Sequence, residues 1–428
     1  MQRAIEAIWR IESAKVIAGL ARIVRDVGVA EDLAQDAFVA ALEQWPASGI
    51  PPKPGAWLMA TAKHRAIDLL RRRATLERKH EALALEFESR ATEAERAFES
   101  VVEEDFGDDL LRLAFVSCHP VLSTEARVAL TLRLLGGLTT KEIARAYLAA
   151  EPAVAQRIVR AKRTLSEARV PFEVPSGNEL GPRLASVLEV LYLIFNEGYS
   201  ATAGEDLMRP ALCEDALRMG RILAELVPAE PEVHGLVALM EIQASRAHAR
   251  TAATGEPILL LDQDRSRWDR TLMRRGLAAL ERARSLGDAL GPYALQATIA
   301  AHHARAHTAA ETDWAGIAAG YDALAQVAPS PVVELNRAVA VAMAFGPEAG
   351  LEIVEALATL PVLGAYHLLP SIRGDLLAKL GRSDEARGEF ERAAALAHNA
   401  REREFLMRRA TACAREPVPG EGDVRALR

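Results

Sequence analysis

The sequence predicts an all-α protein: two small helical domains joined by an acidic linker, then a long tetratricopeptide-like array of helical hairpins. Three observations carry that prediction. Residues of the apolar class make up 50% of the chain and aromatics only 5%, with alanine, leucine, arginine and glutamate dominant. Such residues lose little rotamer freedom in a helix. β-branched and aromatic runs that would mark strands are scarce. Glycine and proline punctuate segments of helical period throughout. At 428 residues the chain exceeds what one hydrophobic core usually serves, so two or three domains are expected.

Residues 1–79 form the first expected domain. Its N-terminus, "MQRAIEAIWRIESAKVIAGL", is amphipathic and carries acids, which excludes a secretory signal. A helix is predicted over 30–45 and another over 56–73. Between them "WPASGIPPKPG" breaks the pattern, because proline removes donors and blocks continuation. Residues 80–109 are poor in large apolar side chains and read as an acidic linker. A compact block follows over 110–170, a connector over 171–181, helix after helix over 182–416, and a tail over 417–428.

Charge follows the same divisions. The chain holds 52 Lys+Arg against 59 Asp+Glu, a net charge of -7. Residues 60–80 nevertheless hold seven basic and two acidic residues, 81–112 hold three and eleven, and 141–169 hold seven and three. Basic, acidic, basic is more informative than the total. Cys118, Cys213 and Cys413 lie far apart, as in a reducing compartment rather than a disulfide framework. No apolar run approaches the ~20 residues that span a bilayer. A soluble, cytoplasmic protein with no membrane partner is expected.

On the helix "PGAWLMATAKHRAIDLLRRR", Leu58, Met59, Ala62, Ala66, Leu69 and Leu70 fall on one arc. Trp57, Thr61, His64, Arg65, Asp68, Arg71 and Arg72 fall on the other, with Arg73 closing the run. An exposed aromatic among arginines is the pairing that stacks bases and holds phosphates. A solvated charged face, with Trp57 packed on a neighbouring helix, fits this segment equally well.

The second basic patch has clearer logic. Thr139 and Glu142 form a capping box that starts a short helix over 141–148. Pro152 stands where a first helical turn tolerates it. The next helix buries Val154, Ile158, Ala161 and Leu165, and presents Ala153, Gln156, Arg157, Arg160 and Arg163, with Lys162 at the flank. Helix, short turn and basic second helix is the helix-turn-helix plan, whose second helix enters the major groove. Arginine and glutamine can bond base edges in bidentate fashion.

In the C-terminal part, Gly374, Gly381, Ala386, Phe390 and Ala393 stand in the order of a tetratricopeptide helix pair. Ala349, Ile353 and Ala356 repeat the small–large–small set, at 386 − 349 = 37 residues against about 34 for such repeats. Stacked helix pairs create a concave surface suited to a peptide or protein.

Three segments in order carry a family resemblance. "VAEDLAQDAFVAALEQW" resembles the polymerase-binding helix of bacterial extracytoplasmic-function sigma factors. "PGAWLMATAKHRAIDLLRRR" resembles their promoter-melting and -10-reading helix, and "LSTEARVALTLRLLGGLTTKEIARAYLAAEPAVAQRIVRAKRTL" their -35-binding domain. The remainder, including "YLIFNEGYSA" and "LLLDQDRSRWDR", is similar to the subgroup with a fused C-terminal tetratricopeptide-type domain. The resemblance implies core RNA polymerase as partner through the β′ clamp helices and β flap, and promoter DNA as target. It implies that Glu31, Asp32, Gln35 and Asp36 meet the clamp, with Leu33 and Phe38 as packing residues. Residues 46–55 would capture a flipped -10 base. Glu103, Glu104, Asp105, Asp108 and Asp109 would lie in the segment that threads toward the active site. Departures are a leucine, Leu148, in place of the usual turn glycine, and Ala150 in place of the hydroxyl residue before the recognition helix, which costs about 1 kcal/mol of capping.

Other groups are expected to be structural. "AHHARAH" spaces His303 and His307 four apart beside His302, without an acidic partner in HExxH order. Cys118-His119 lies on a turn with no orienting third group. Neither a phosphate-binding nor a dinucleotide glycine motif occurs, so no catalytic residue, metal or cofactor is expected. The second functional reading is a helix-turn-helix regulator whose solenoid senses a ligand or peptide.

Overall fold

The structure, a computed structural model, describes residues 1–76, 107–147, 149–201, 205–252, 256–287 and 289–414. Described side chains exclude those of 73–76 and 107. No strand occurs among the described residues; a lone bridge joins Thr251 and Pro257. The chain divides into two compact units, Met1–Ile194 and Phe195–Arg428. Most of the acidic stretch, including Glu103, Glu104 and Asp105, lies outside the described residues, as does Leu148.

In the first unit α1 (Gln2–Val24), α2 (Val27–Ser48) and α3 (Pro54–Leu76) pack mutually. Alanines at 30, 34, 37, 41, 62 and 66 are nearly inaccessible, which lets the helices approach closely around Leu20, Trp45, Leu58 and Leu70. The carboxylate of Asp26 caps α2 by accepting from Val29 N at 3.0 Å. Pro46 lies inside the last turn of α2, which runs on to Ser48 rather than ending at Trp45. A proline near the end of a helix forfeits one donor without blocking the remaining turn. The buried arc predicted for α3 is present, with Ile67 added and Leu69 half-buried. Lys63, unremarked in the sequence, is also buried there, at 1% exposure.

The same unit continues with α4 (Gly107–Ser117), α5 (Thr124–Leu134), α6 (Thr140–Ala146) and α7 (Glu151–Glu167). The capping box at Thr139 is closed: Glu142 N donates to Thr139 Oγ1 at 3.2 Å and Thr139 N to Glu142 Oε2 at 2.8 Å. Ala150, the N-cap of α7, provides no side-chain cap. Val154, Ile158, Ala161 and Leu165 form its buried stripe, packed on α5 and α6. Asp109 at the start of α4 is buried between Arg22 (3.3 Å) and Arg112 (2.6 Å). The turn before α6 reaches α1: Gly137 has φ 70°, and a Cβ there would stand 2.9 Å from Ser13 Oγ.

Helix α8 (Leu180–Tyr199) starts in this unit and ends in the next. Its first turns dock on α4 and α5. Arg183 donates to Phe115 O at 2.9 Å, Ser186 to Cys118 O at 2.7 Å, and Arg127 to Glu189 at 3.0 Å. The division between compact units thus falls at 194/195, beyond the expected connector at 171–181.

The second unit contains α9 (Pro210–Leu226), α10 (Pro231–Ala244), α11 (Arg270–Ser285), α12 (Pro292–Arg305), α13 (Trp314–Val327), α14 (Pro331–Phe345), α15 (Pro347–Ala358), α16 (Leu368–Lys379), α17 (Ser383–Leu396) and α18 (Ala400–Cys413). Most consecutive helices are packed neighbours, as in hairpin arrays. Phe390, Ala386 and Ala393 of α17 are fully buried, and Phe390 fits against Gly374 of α16. In the preceding hairpin the equivalent buried set is Gly350, Val354 and Leu357, not the predicted Ala349, Ile353 and Ala356, of which Ala356 is exposed. The repeat offset is therefore 390 − 354 = 36 residues rather than 37. An alanine-rich helix offers two nearly equivalent small-residue stripes, and only packing selects between them.

Candidate nucleic-acid and polymerase interface

Helix α7 turns its apolar stripe inward, and this fixes the direction of everything else it carries. Ala153, Gln156, Arg157, Arg160 and Arg163 are exposed on its outer side. Arg163 is held at 2.6 Å by Glu167 one turn on, whereas Arg157 and Arg160 make no hydrogen bond or ion pair among the described residues. Their guanidinium groups project from a helix that the capping box and the α5–α7 core hold rigidly, as groove reading requires.

Helix α3 offers a mixed surface. His64, Asp68, Arg71 and Arg72 are exposed, Thr61 and Arg65 half-buried, and the Arg73 side chain lies outside the described residues. His64 Nδ1 is 2.8 Å from Ala60 O. Trp57 is half-buried and meets Trp45 edge-to-face, ring centroids 5.3 Å apart. The tryptophan therefore has a packing role on α2 and keeps only part of its surface for any other contact.

The acidic residues on α2 separate into two kinds. Asp32 and Asp36 are exposed, and Asp36 reaches Arg65 of α3 at 3.2 Å. Gln35 donates to Glu31 at 2.6 Å. Glu31 itself is only 2% exposed, wedged between two cations of the helix-turn-helix block. Arg133 Nε donates to its Oε1 at 2.6 Å, and the Lys162 ammonium contacts its Oε2. Burial by itself would raise the Glu31 pKa. The charges of Lys162 and Arg133 and their hydrogen bonds outweigh burial and hold it below the ordinary carboxylate value. Nearby, Ser166 donates to Asp26 at 3.0 Å. A residue expected to face the polymerase and one expected near DNA, Lys162, are thus engaged with each other.

The groups expected to be structural stand as follows. Cys118 is buried and its thiol is pushed up to about 11 by burial; it meets Thr131 Oγ1 at 3.2 Å. His119 Nδ1 accepts from Val121 N. His303 packs edge-on against Trp314 at 5.2 Å, and burial, with Arg246 and Arg265 nearby, pushes its pKa down to about 3. No group of acids, histidines and cysteines among the described residues could hold a metal, and no described helix is long and apolar enough to cross a membrane.

Residues 11–75, spanning α1–α3, match the sigma-70 region 2 family, and residues 112–165, which hold the helix-turn-helix, match sigma-70 region 4. The chain belongs to the extracytoplasmic-function sigma factors. Residues 183–284 match a further family described only as of unknown function, DUF6596, a fused domain beyond the two sigma regions. An uncharacterized protein of Rhizobium meliloti is 42% identical over 405 residues, covering 94% of each chain. A probable sigma factor of this kind from Mycobacterium tuberculosis, SigI, is 28% identical over 172 residues, 40% of this chain and 57% of the relative. Sigma factors are not enzymes: they bind core RNA polymerase and promoter DNA. In this one, sequence reasoning missed Arg133 and the burial of Glu31. Their contact joins residues 102 positions apart, and no local pattern signals it.

Proposed function

We propose that this sigma factor reads the -35 element with Gln156, Arg157, Arg160 and Arg163 of α7. The -10 strand would be opened and held by α3, with His64, Arg65 and Arg71–Arg73 along the phosphates and Trp57, Thr61 and Asp68 beside them. Asp32, Gln35 and Asp36, with Glu31, would meet the β′ clamp helices, while the helix-turn-helix block addresses the β flap. Phosphodiester chemistry stays with the polymerase. The observation that carries this reading is the outward row of base-capable side chains on α7, two of them unengaged, above a fully buried apolar stripe.

The fused helical domain after about residue 182 acts in cis on initiation, and its hairpins offer a surface for a protein or peptide. The Glu31–Arg133–Lys162 cluster gives the sigma part a resting arrangement, since Glu31 and Lys162 occupy each other. Loading onto polymerase then requires the two sigma blocks to part. A reconstituted transcription assay tests the assignment: core enzyme with this protein should initiate at a cognate promoter, and Arg157→Ala with Arg160→Ala should erase the -35 footprint. Absence of initiation at every promoter drawn from the source genome would sink the proposal.

A further inference from the structure

Two segments singled out in the sequence, "YLIFNEGYSA" and "LLLDQDRSRWDR", lie outside the two sigma regions, and residues of both meet in the second unit. Tyr199 comes from the first, and Gln263, Arg265 and Trp268 from the second. Arg246 and Arg250 join Arg265 there. The Arg250 guanidinium lies 3.7 Å from the Tyr199 ring centroid. That of Arg246 is 6.0 Å from Tyr199 and 5.9 Å from Trp268, and that of Arg265 is 4.9 Å from Trp268.

None of the three makes an ion pair among the described residues, although all are at least partly buried. Arg265 is satisfied by neutral acceptors: the carbonyls of His303 and Ala306, both at 2.7 Å, and Thr312 Oγ1 at 3.1 Å. Arg250 donates to Tyr199 O. Arg246 differs, being 9% exposed with a buried Nε that has no hydrogen-bond partner among the described residues. A buried cation without counter-charge is strongly disfavoured unless something else supplies the charge.

Arg246 and Arg250 line a cavity of about 370 Å³. That volume lies in the range of small-molecule sites. The remaining wall is largely apolar, with Leu207, Ile258, Leu260, Leu368 and Phe405 among its residues. Gln263 also lines it and leaves a buried Oε1 without a partner. Glu402, on the same wall, is 3.4 Å from His367 and is paired with neither arginine.

We propose that this cavity binds a small organic acid, its carboxylate held by Arg246 and Arg250 and its apolar body against Leu260, Leu368 and Phe405. The charge of the ligand completes the arginine cluster, and the leucine-rich wall selects acids with a hydrocarbon body over inorganic anions.

Calorimetric titration of the full chain with octanoate tests this, with 1-octanol and inorganic phosphate as the neutral and headgroup-only probes. Octanoate is expected to bind at one site per chain, and both other probes at least tenfold more weakly. Arg246→Met should lower octanoate affinity at least tenfold while keeping the wild-type circular dichroism spectrum. Should that variant fail to fold, Leu368→Trp fills the cavity from the apolar side and should also abolish binding. No octanoate binding, equal binding of octanol, or wild-type affinity in a folded variant would overturn the proposal.

Discussion

Replacing Glu31 by Gln keeps the shape of the side chain and leaves Lys162 and Arg133 facing a neutral group. Removing one partner of a buried pair costs about 3–5 kcal/mol, because the charge left behind is uncompensated. E31Q should therefore melt at a lower temperature than the wild type near neutral pH, as read by calorimetry. The difference should shrink in acid. Folding depresses the Glu31 pKa below its ordinary value of 4.5, so its contribution is complete above that value. It is lost as pH falls through the lower folded value. The cysteines give a second test at this scale. Burial pushes Cys118 up to about 11 and Cys213 to about 12, so both remain protonated at neutral pH. A maleimide should label the half-buried Cys413 of the folded protein and spare the other two.

Among the elements, α7 was the most legible in the sequence. Its four apolar residues recur at helical spacing, and a helix amphipathic by itself reports which side it buries. The same pattern settles what α7 exposes, so single alanine substitutions at Arg157 and Arg160 should each weaken -35 binding by about 1–3 kcal/mol, measurable by titration of labelled duplex. Helix α3 was half legible: its arcs are where periodicity put them, but the buried Lys63 and the Trp57–Trp45 contact depend on neighbours that periodicity cannot see. The turn at Gly137 makes a separate prediction. Its positive φ and the nearness of Ser13 leave no room for a side chain, so Gly137→Ala should destabilise by about 1–3 kcal/mol, seen as a lower melting temperature.

For the molecule as a whole, the order of two sigma regions and a fused helical domain followed from charge alternation and from three recognisable segments. The boundary between compact units did not, because α8 is one continuous apolar helix. Its N-terminal half packs on α4 and α5 through Arg183, Ser186 and Glu189, and no break in the sequence marks the change of allegiance. The consequence for truncation is direct. A chain ending after Pro171 discards those bonds, whereas one ending after Ser200 retains them. The longer fragment should show the sharper and higher thermal transition, and should be the one used to ask whether the fused domain alters transcription.

The ion cluster at Glu31 also bears on competition. Where rival sigma factors contend for core enzyme, one that must first open binds with its intrinsic affinity scaled by the fraction already open. If parting the two blocks costs about 3 kcal/mol, that fraction is about one molecule in 150, and the apparent affinity falls by the same factor. Loosening the cluster at Arg133, which no promoter contact uses, would then shift the protein's standing among its rivals. The rank of a sigma factor in the cell would be written in the strength of an internal bond.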